Sequence, residues 1–367
     1  MDEPQSGRIL VHCDLDAFFA SVEILHHDLD PKRPLIIGSD PLQGLGRGIV
    51  STCNYAARKY GIRSAMPISE AWRRCPAAPF GPGTYIQGTR GLYSRASRKV
   101  MNILKSNCDV FEQASIDEAY LDVTTTCHND WDEAIALVRQ MQHDIFRELG
   151  LTASFGIAPT KILAKMASEE QKPNGIFRIL PNEIPTFFES RPLRDIPGIG
   201  PKSATKLSEW GLESMDEAYD LGLIPLQKFA GLRFASWLIR VYEGTTSNRL
   251  EPLSNRKSIS KEHTFSKDSI DYEYIVQVMK DLLKSTIKQL VEAGAGARVL
   301  EVKLRYQGFE TTTNQKSLIV SMDEYDVFWR IAETLFASNV ELMRPVRLIG
   351  VRLGGLEYLQ SRQETLL

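Results

Sequence analysis

Two pairs of carboxylates beside apolar runs constrain the fold of this chain more than any other feature of its sequence. Asp14 and Asp16 close one such run, and Asp117 and Glu118 open another. A buried charge costs several kcal/mol unless a partner compensates it, so these acids are expected to have a specific environment. Because successive residues on a strand face opposite sides, Asp117 and Glu118 can act together only at a strand end or turn.

Three of these acids can meet if the two strand ends lie side by side. Carboxylate oxygens are the ligands that hard divalent cations prefer. Asp14, Asp117 and Glu118 are therefore predicted to hold two Mg²⁺ ions, for which Mn²⁺ can substitute, about 3.5–4 Å apart in a site for in-line phosphoryl displacement. For either pair taken alone, a solvated turn is the alternative, since Asp is a common turn residue.

Composition limits the class of protein. The chain has 367 residues, 43% of them hydrophobic, which predicts a globular protein of two to four domains. Its net charge of −2 does not favour nucleic-acid binding, so any DNA contact must depend on local basic surface. Five cysteines without a C-x-x-C pair predict reduced thiols in a cytoplasmic protein. No signal peptide or membrane-spanning run is expected, and the chain is predicted to be a monomer.

The first acidic strand leads directly into a helical segment, with Asp16 predicted as its N-cap. The adjacent rings of Phe18 and Phe19 cannot both face one core from a helix. One ring is therefore expected to face a cavity beside the acids, and a core position for both is the alternative. The order of elements over the first 170 residues predicts an α+β layer with an inserted segment.

Two further groups of residues suggest a site for phosphates. Thr52, Tyr55 and Arg58 are spaced to converge where a strand meets a helix, and hydroxyls with a guanidinium suit a triphosphate. A surface arginine beside a core tyrosine is the alternative. Lys161 falls in the first turn of a predicted helix, where a cation opposes the helix dipole, so we expect it to bind an anion such as phosphate.

The segment Asp195–Leu207 carries a helix-hairpin-helix signature. Gly198 and Gly200 let backbone amides at a helix N-terminus approach a DNA phosphate, and Lys202 adds a positive charge. A polar linker follows.

The pattern after the linker predicts a separate βαββαβ domain. Its predicted strands are Ser258–Phe265, Arg298–Tyr306, Thr311–Val320 and Val346–Leu353, and its predicted helices are Tyr272–Ala293 and Tyr325–Ala337. Strand alternation should place several cations on one open sheet face, where they would track DNA phosphates; ordinary solvated charge is the alternative. The cations from which this face would be drawn are Lys257, Lys261, Arg298, Lys303, Arg305, Arg347 and Arg352.

Four motifs occur in the order seen in Y-family translesion DNA polymerases, and the resemblance is strongest to their DinB class. They are Asp14–Glu23, Ser51–Arg58, Ser115–Leu121 and Gly156–Lys165, and the resemblance extends from about Arg8 to Leu356. It implies a multidomain α+β fold shaped like a right hand. The implied parts are palm (1–17 and 85–170), fingers (18–84), helix-hairpin-helix thumb (171–244), linker (245–256), little finger (257–357) and tail (358–367).

The resemblance also implies an activity: template-directed, low-fidelity DNA synthesis past damaged bases, by transfer of a nucleotide from a dNTP to a primer 3′-OH. The family pattern assigns metal ligation to Asp14, Asp117, Glu118 and the Leu15 carbonyl, and the steric gate to Phe19 with Phe18 beside it. It assigns triphosphate contacts to Thr52, Tyr55, Arg58 and Lys161, and the roof over the base pair to Ile49, Ser51 and Ala65. Gln363 and Leu366 resemble part of a sliding-clamp-binding peptide.

Two other classes of function compete with this interpretation. A non-catalytic DNA-binding protein with a decayed palm should have lost at least one of Asp14, Asp117, Glu118, Arg58 and Lys161, and all five are present. A palm-type nucleotidyl cyclase shares the acid pair, but it has no use for a helix-hairpin-helix or a DNA-facing final domain.

Overall fold

The computed structural model describes residues 7–251, 255–341 and 343–358. Contacts divide the chain into two units, 1–253 and 254–367. Within the described residues, no helix is both long and apolar enough to cross a membrane.

The first unit contains eight strands and eleven α-helices among the described residues. The strands are β1 (Leu10–Leu15), β2 (Leu35–Gly38), β3 (Val50–Cys53), β4 (Thr84–Ile86), β5 (Val110–Gln113), β6 (Glu118–Asp122), β7 (Ala153–Ala158) and β8 (Ile176–Arg178). The helices are α1 (Phe18–His27), α2 (Tyr55–Arg58), α3 (Ile68–Arg74), α4 (Leu92–Lys105), α5 (Trp131–Leu149), α6 (Lys161–Glu170), α7 (Ile184–Phe188), α8 (Pro201–Ser208), α9 (Met215–Leu221), α10 (Leu223–Ala230) and α11 (Leu232–Tyr242).

A five-stranded sheet in the order β5-β6-β1-β7-β8 positions the acids. The central strand β1 is antiparallel to both neighbours, and Asp14 lies directly opposite Glu118. Directly opposed residues share one face of a sheet, with their Cβ atoms about 4.5–5.5 Å apart. The apolar alternates Val11, Cys13 and Leu15 face a core shared with α4 and α5, so the other face of β1 is left for the acid.

That second face is covered by α6, which approaches the sheet unusually closely at Gly156. A Cβ atom built on Gly156 would lie 2.0 Å from the Ala164 carbonyl oxygen and 2.3 Å from the Ser168 nitrogen. The absence of a side chain therefore allows helix and strand backbones to touch. This approach brings the Ser168 hydroxyl within 2.8 Å of His12 Nδ1 on β1.

The turn between β1 and α1 differs from the prediction. Asp16 is not the N-cap: that position belongs to Ala17, whose backbone is left-handed (φ 44°, ψ 43°). The buried Asp16 side chain instead accepts hydrogen bonds from Ser154 Oγ and from the Asn174 backbone N–H, both at 2.8 Å. The carboxylate thus serves long-range contacts, which a local capping rule cannot predict.

A smaller sheet, in the order β3-β2-β4, presents the predicted phosphate contacts. Asn54 lies between β3 and α2, and its Oδ1 accepts the backbone N–H groups of Ala57 and Leu35, both at 3.0 Å. Its Nδ2 donates to the carbonyls of Pro31 and Arg33. Because both the oxygen and the nitrogen of its side-chain amide are hydrogen-bonded to backbone groups, Asn54 fixes the junction between β3 and α2.

The second unit confirms the predicted βαββαβ order. Its elements are β9 (Ser258–Ser269), α12 (Tyr272–Glu292), β10 (Ala295–Tyr306), β11 (Thr311–Met322), α13 (Tyr325–Asn339) and β12 (Val346–Tyr358). The antiparallel sheet runs β11-β10-β12-β9, and both helices pack on one face around a core that includes Phe265, Leu300 and Phe328.

We predict that Gly156→Ala destabilises the first unit by about 1–3 kcal/mol, because an added methyl would collide with immobile backbone. Chemical denaturation measures this loss. Gly354→Ala is the control, since its Cβ would meet its nearest neighbour at an ordinary 3.8 Å; its effect should stay within about 0.5 kcal/mol. Equal stability of the two variants would contradict the close approach.

Candidate functional site

Most of the predicted acids and phosphate contacts line one cavity of about 280 Å³, but Glu118 and Lys161 are not among its lining residues. The lining combines two carboxylates with hydroxyls, a guanidinium and an ammonium. The lining residues are Asp14, Leu15, Ala17, Phe18, Phe19, Ser51, Thr52, Tyr55, Arg58, Ser64, Asp117 and Lys172. Residues from both sheets of the first unit therefore meet around one space, although their segments are far apart in sequence.

Each of the three acids has a partner within the protein. Lys172 Nζ lies 2.8 Å from Asp14 Oδ1, and Lys165 Nζ lies 2.7 Å from Glu118 Oε2. Asp117 lies in the turn between β5 and β6, where the Ser115 hydroxyl donates to its Oδ1 at 2.5 Å. Within the described ranges, no three acidic, histidine or cysteine side chains are grouped closely enough to hold a metal ion.

The two opposed acids have contrasting pKa values. Burial raises the pKa of Asp14 to about 7; the ammonium of Lys172 opposes this rise, and the charge of Glu118 adds to it. The His12 ring, whose Nε2 lies 3.6 Å from Glu118 Oε2, and the ammonium of Lys165 lower the pKa of Glu118 to about 2, although burial opposes them. Crowded carboxylates of this kind are stabilised by added positive charge.

The donor set fits divalent cations although the side chains turn toward lysines. Asp14 and Glu118 share one sheet face, and the Leu15 N–H donates to the Asp117 carbonyl at 3.0 Å, so the turn is joined to the end of β1. Hard oxygen donors from three carboxylates are what Mg²⁺ or Mn²⁺ require. Leu15 also lines the cavity.

Arg58 supplies positive charge to the lining of the cavity. Its guanidinium carbon lies 4.6 Å from the centre of the Tyr55 ring. In the part of the chain that the structure describes, no carboxylate lies within 4 Å of it, so its charge is available to an anionic ligand. Thr52 and Tyr55 line the same cavity, as their spacing predicts.

Lys161 was predicted to bind an anion and does so, but within the protein. Its ammonium lies 2.7 and 2.8 Å from the two carboxylate oxygens of Glu112 and 4.7 Å from the centre of the Tyr120 ring. It is not among the residues lining the cavity. A role in binding triphosphate therefore requires Lys161 to exchange one anion for another.

Sequence reasoning missed the two lysines that contact the acids. Lys165 lies one helical turn after Lys161, so it follows the same line along α6. Lys172 lies in the loop between α6 and β8, where the Pro173 and Gly175 that follow read only as a break between elements. The four-residue spacing between Lys161 and Lys165, which matches the helical repeat, was the one sequence feature that could have pointed to Lys165.

The two phenylalanines have different environments. Phe18 is only 3% exposed and packs in the core of the five-stranded sheet, while its ring also reaches the cavity. Phe19 is partly buried, lines the same cavity and stacks on Tyr93, with ring centres 4.0 Å apart and planes inclined by 9°. Both rings thus line the cavity, and Phe18 is also a core residue.

The helix-hairpin-helix segment forms the turn before α8. Gly198 has a positive φ of 104°, which favours glycine, and Trp237 packs over its Cα. Gly200 is the N-cap of α8 and has open space around its Cα, and Lys202 is exposed. The space beside Gly200 at the start of α8 is therefore open.

The predicted roof residues lie near the cavity. Ser51 lines it directly, and Ala65 donates its N–H to the Val50 carbonyl at 2.9 Å while adopting a positive φ of 65°. Ile49 is 52% exposed, which is unusual for an isoleucine.

The cations of the second unit do not all share one sheet face. Lys303, Arg305 and Arg352 lie on the face opposite the helices, whereas Lys261 is placed on the helix side and donates to Ser285 Oγ. Several of the cations therefore share one open face, as expected, and Lys261 is not among them because alternation along β9 turns it toward α12.

Most of the remaining cations have partners. Arg298 pairs with Glu357, Lys303 with Glu262 and Arg352 with Glu301, and Arg347 lies over the Phe309 ring. Lys257 is exposed just before β9. Gln363 and Leu366, assigned to a clamp-binding peptide, lie outside the described residues.

Three family models match the chain. The impB/mucB/samB family model matches residues 13–169, the model of its C-terminal domain matches residues 256–366, and the IMS family HHH motif matches residues 181–212. The last of these includes the predicted helix-hairpin-helix.

Curated relatives match almost the whole chain. DNA polymerase IV of Streptococcus thermophilus (strain CNRZ 1066) is 38% identical over 362 residues, which cover 98% of this chain and 96% of the relative. DNA polymerase IV of Methanoculleus marisnigri is 36% identical over 363 residues, which cover 98% of each.

Solved structures agree in fold. The Y-family DNA polymerase chimera Dbh-Dpo4(243-245)-Dbh superposes with a TM-score of 0.85 at 29% identity, covering 95% of this chain and 99% of that chain. The insertion ternary complex of Dbh DNA polymerase gives a TM-score of 0.67 at 28% identity, covering 95% and 99% of the two chains. The chain therefore belongs to the Y family of DNA polymerases, among relatives named DNA polymerase IV.

Proposed function

We propose that this DNA-directed DNA polymerase copies damaged templates by two-metal nucleotidyl transfer from a dNTP to a primer 3′-OH. One observation carries the proposal: a single cavity combines the acids Asp14 and Asp117 with Arg58 and the Phe19 ring. That combination suits a substrate with a triphosphate at one end and a sugar beside the metal ligands.

The proposed division of labour follows from the lining residues. Asp14, Asp117, Glu118 and the Leu15 carbonyl would hold two Mg²⁺ ions, which supply Lewis-acid stabilisation to the transferring phosphoryl group. Arg58 and the hydroxyls of Thr52 and Tyr55 bind and orient the triphosphate.

Lys161 joins the triphosphate contacts on release from Glu112. Phe19 excludes the 2′-OH of a ribonucleotide.

Small residues above the cavity support tolerance of damaged bases. Ser51 and Ala65 place little side-chain bulk near the proposed position of the nascent base pair, and the exposed Ile49 has few neighbours to fix it. A roof of this kind would press weakly on a distorted base pair, which favours lesion bypass at the cost of fidelity.

We further propose the domain boundaries that the resemblance implies: palm at 1–17 and 85–170, fingers at 18–84, thumb at 171–244 and little finger at 257–357. The change of unit near residue 253 agrees with the proposed linker at 245–256.

Primer–template DNA is the proposed partner of the thumb and the little finger, and a sliding clamp is the proposed partner of the tail.

Asp117→Ala and Glu118→Ala should each reduce primer extension by roughly 10³-fold or more, because several kcal/mol of charge stabilisation would be lost. Binding of primer–template should change little. Extension assays and fluorescence anisotropy measure the two effects. Glu148→Ala, an exposed change on α5, is the control. Near-normal extension by both acid variants would reject the site.

Phe19→Ala should raise the ratio of ribonucleotide to deoxyribonucleotide incorporation by roughly 10²-fold, since it removes a steric conflict and a site that leaves the 2′-OH unpaired. Deoxyribonucleotide use should fall less. If Phe19 serves only packing, both activities will fall together with the melting temperature, and the ratio will stay constant.

DNA binding by the second unit can be tested at Arg305. Its Nε donates to Thr311 Oγ1 at 2.9 Å, and no carboxylate among the described residues pairs with it. Arg305→Ala should reduce the slope of log K against log salt by about 1, the value expected for one phosphate contact. Lys288→Ala, on α12 and paired with Glu292, is the matched control. Identical slopes for the two variants would contradict the contact.

A further inference from the structure

Phe19 is backed by a second ring, which is itself held by a buried carboxylate. We propose that Tyr93 and Glu23 are positioning residues that fix the Phe19 ring and thereby set discrimination between deoxyribonucleotides and ribonucleotides. The inference rests on the proposed role of Phe19 and adds two residues outside the cavity lining.

The side chain of Tyr93 packs against one turn of α1. Phe19 and Glu23 are four residues apart on that helix, so they lie on the same face, one above the other. The Tyr93 ring stacks on Phe19 at 4.0 Å, and its hydroxyl donates to Glu23 Oε1 at 2.5 Å. One side chain from the start of α4 therefore contacts both residues, with its ring on the first and its hydroxyl on the second.

Glu23 is an anchor because both of its oxygens are satisfied where no water reaches. Its side chain is 0% exposed, and it accepts the Thr89 N–H at 2.6 Å and the Thr89 hydroxyl at 2.9 Å. His27 Nε2 lies 3.0 Å away. Burial raises the pKa of Glu23, but the hydrogen bonds from Tyr93 and Thr89 outweigh it, so the pKa is lowered and the group is ionised. Hydrogen bonds to an ionised acceptor are the stronger kind.

Close packing leaves the Tyr93 hydroxyl little room to move. A Cβ atom on Gly88 would lie 2.6 Å from that hydroxyl and 3.2 Å from the ring carbon Cε2. The segment from Gly88 to Tyr93 therefore encloses the phenol, and Thr89 in the same segment ties it to Glu23. The Tyr93 ring therefore supports one side of Phe19. That ring is held by its hydrogen bond to Glu23 at one end and by the backbone of α4 at the other.

Sugar selection depends on where the Phe19 ring lies, and a sub-ångström shift changes steric exclusion strongly. Without the backing ring, Phe19 could tilt toward the vacated space and admit a 2′-OH. If the trio only stabilises the fold, loss of Tyr93 will lower stability without changing the ratio of the two substrates.

The test compares kcat/KM for a ribonucleotide and its deoxyribonucleotide in the full chain. Tyr93→Leu should raise the ribonucleotide/deoxyribonucleotide ratio roughly 10-fold, about half of the effect of Phe19→Ala on the free-energy scale. Tyr93→Phe and Glu23→Gln keep the ring but weaken its anchor, so each should raise the ratio about 2- to 5-fold, which is about the worth of one hydrogen bond.

Tyr219→Leu is the matched control. Tyr219 stacks on Tyr242 with ring centres 4.0 Å apart and planes inclined by 15°, a geometry close to that of the proposed pair. The control should lower the melting temperature comparably and leave the substrate ratio unchanged. A ratio that rises as much in the control as in Tyr93→Leu would overturn the inference.

A double variant separates this inference from the role of Phe19 itself. If Tyr93 acts through Phe19, Phe19→Ala combined with Tyr93→Leu should show no higher ratio than Phe19→Ala alone. An unchanged ratio in Phe19→Ala would reject the gate and the inference together. A raised ratio there, with unchanged ratios in Tyr93→Leu, Tyr93→Phe and Glu23→Gln, would reject the positioning role alone. If Tyr93→Leu fails to fold, Tyr93→Phe and Glu23→Gln decide the outcome.

Discussion

The site depends on backbone contact between α6 and β7 at Gly156. Any side chain there would push the helix away from the sheet, because the space is occupied by the Ala164 carbonyl. The contact places Lys165 beside Glu118 and the Ser168 hydroxyl beside His12. An acid that the sheet register alone would leave uncompensated therefore gains a cation from α6, and Ser168 of the same helix holds the His12 ring of β1, which lies beside that acid.

Charges of both signs line the cavity. Acids at the end of β1 and in the β5–β6 turn carry negative charge, and Arg58 on α2 and Lys172, which pairs with Asp14, carry positive charge. A nucleotide with bound cations carries the complementary charges: a polyanionic triphosphate and divalent cations. Complementarity of this kind orients a ligand before any conformational change, since the wrong orientation places like charges together.

Sequence reasoning identified residues whose role is set by local pattern and missed those set by long-range packing. Asp14 and Glu118 stand out because acids beside apolar runs are unusual, and Thr52, Tyr55 and Arg58 follow from helical and strand spacing. Tyr93 contacts residues about seventy positions away, and Lys172 pairs with an acid almost 160 positions earlier. No local period encodes such contacts. Asp16 shows the opposite kind of error. Local pattern predicted it as a helix N-cap, but its carboxylate accepts hydrogen bonds from residues far along the chain.

The buried Asp16 has a mechanical consequence for the acids near it. Its two oxygens join the end of β1 to Ser154 on β7 and to the backbone of Asn174, two residues beyond Lys172. The strand that carries Asp14 and the loop that carries its lysine partner are thus joined at a second point, apart from the ion pair. A departure of Lys172 from Asp14 would leave both hydrogen bonds of Asp16 in place, so the ammonium would return by side-chain rotation rather than by refolding of the loop.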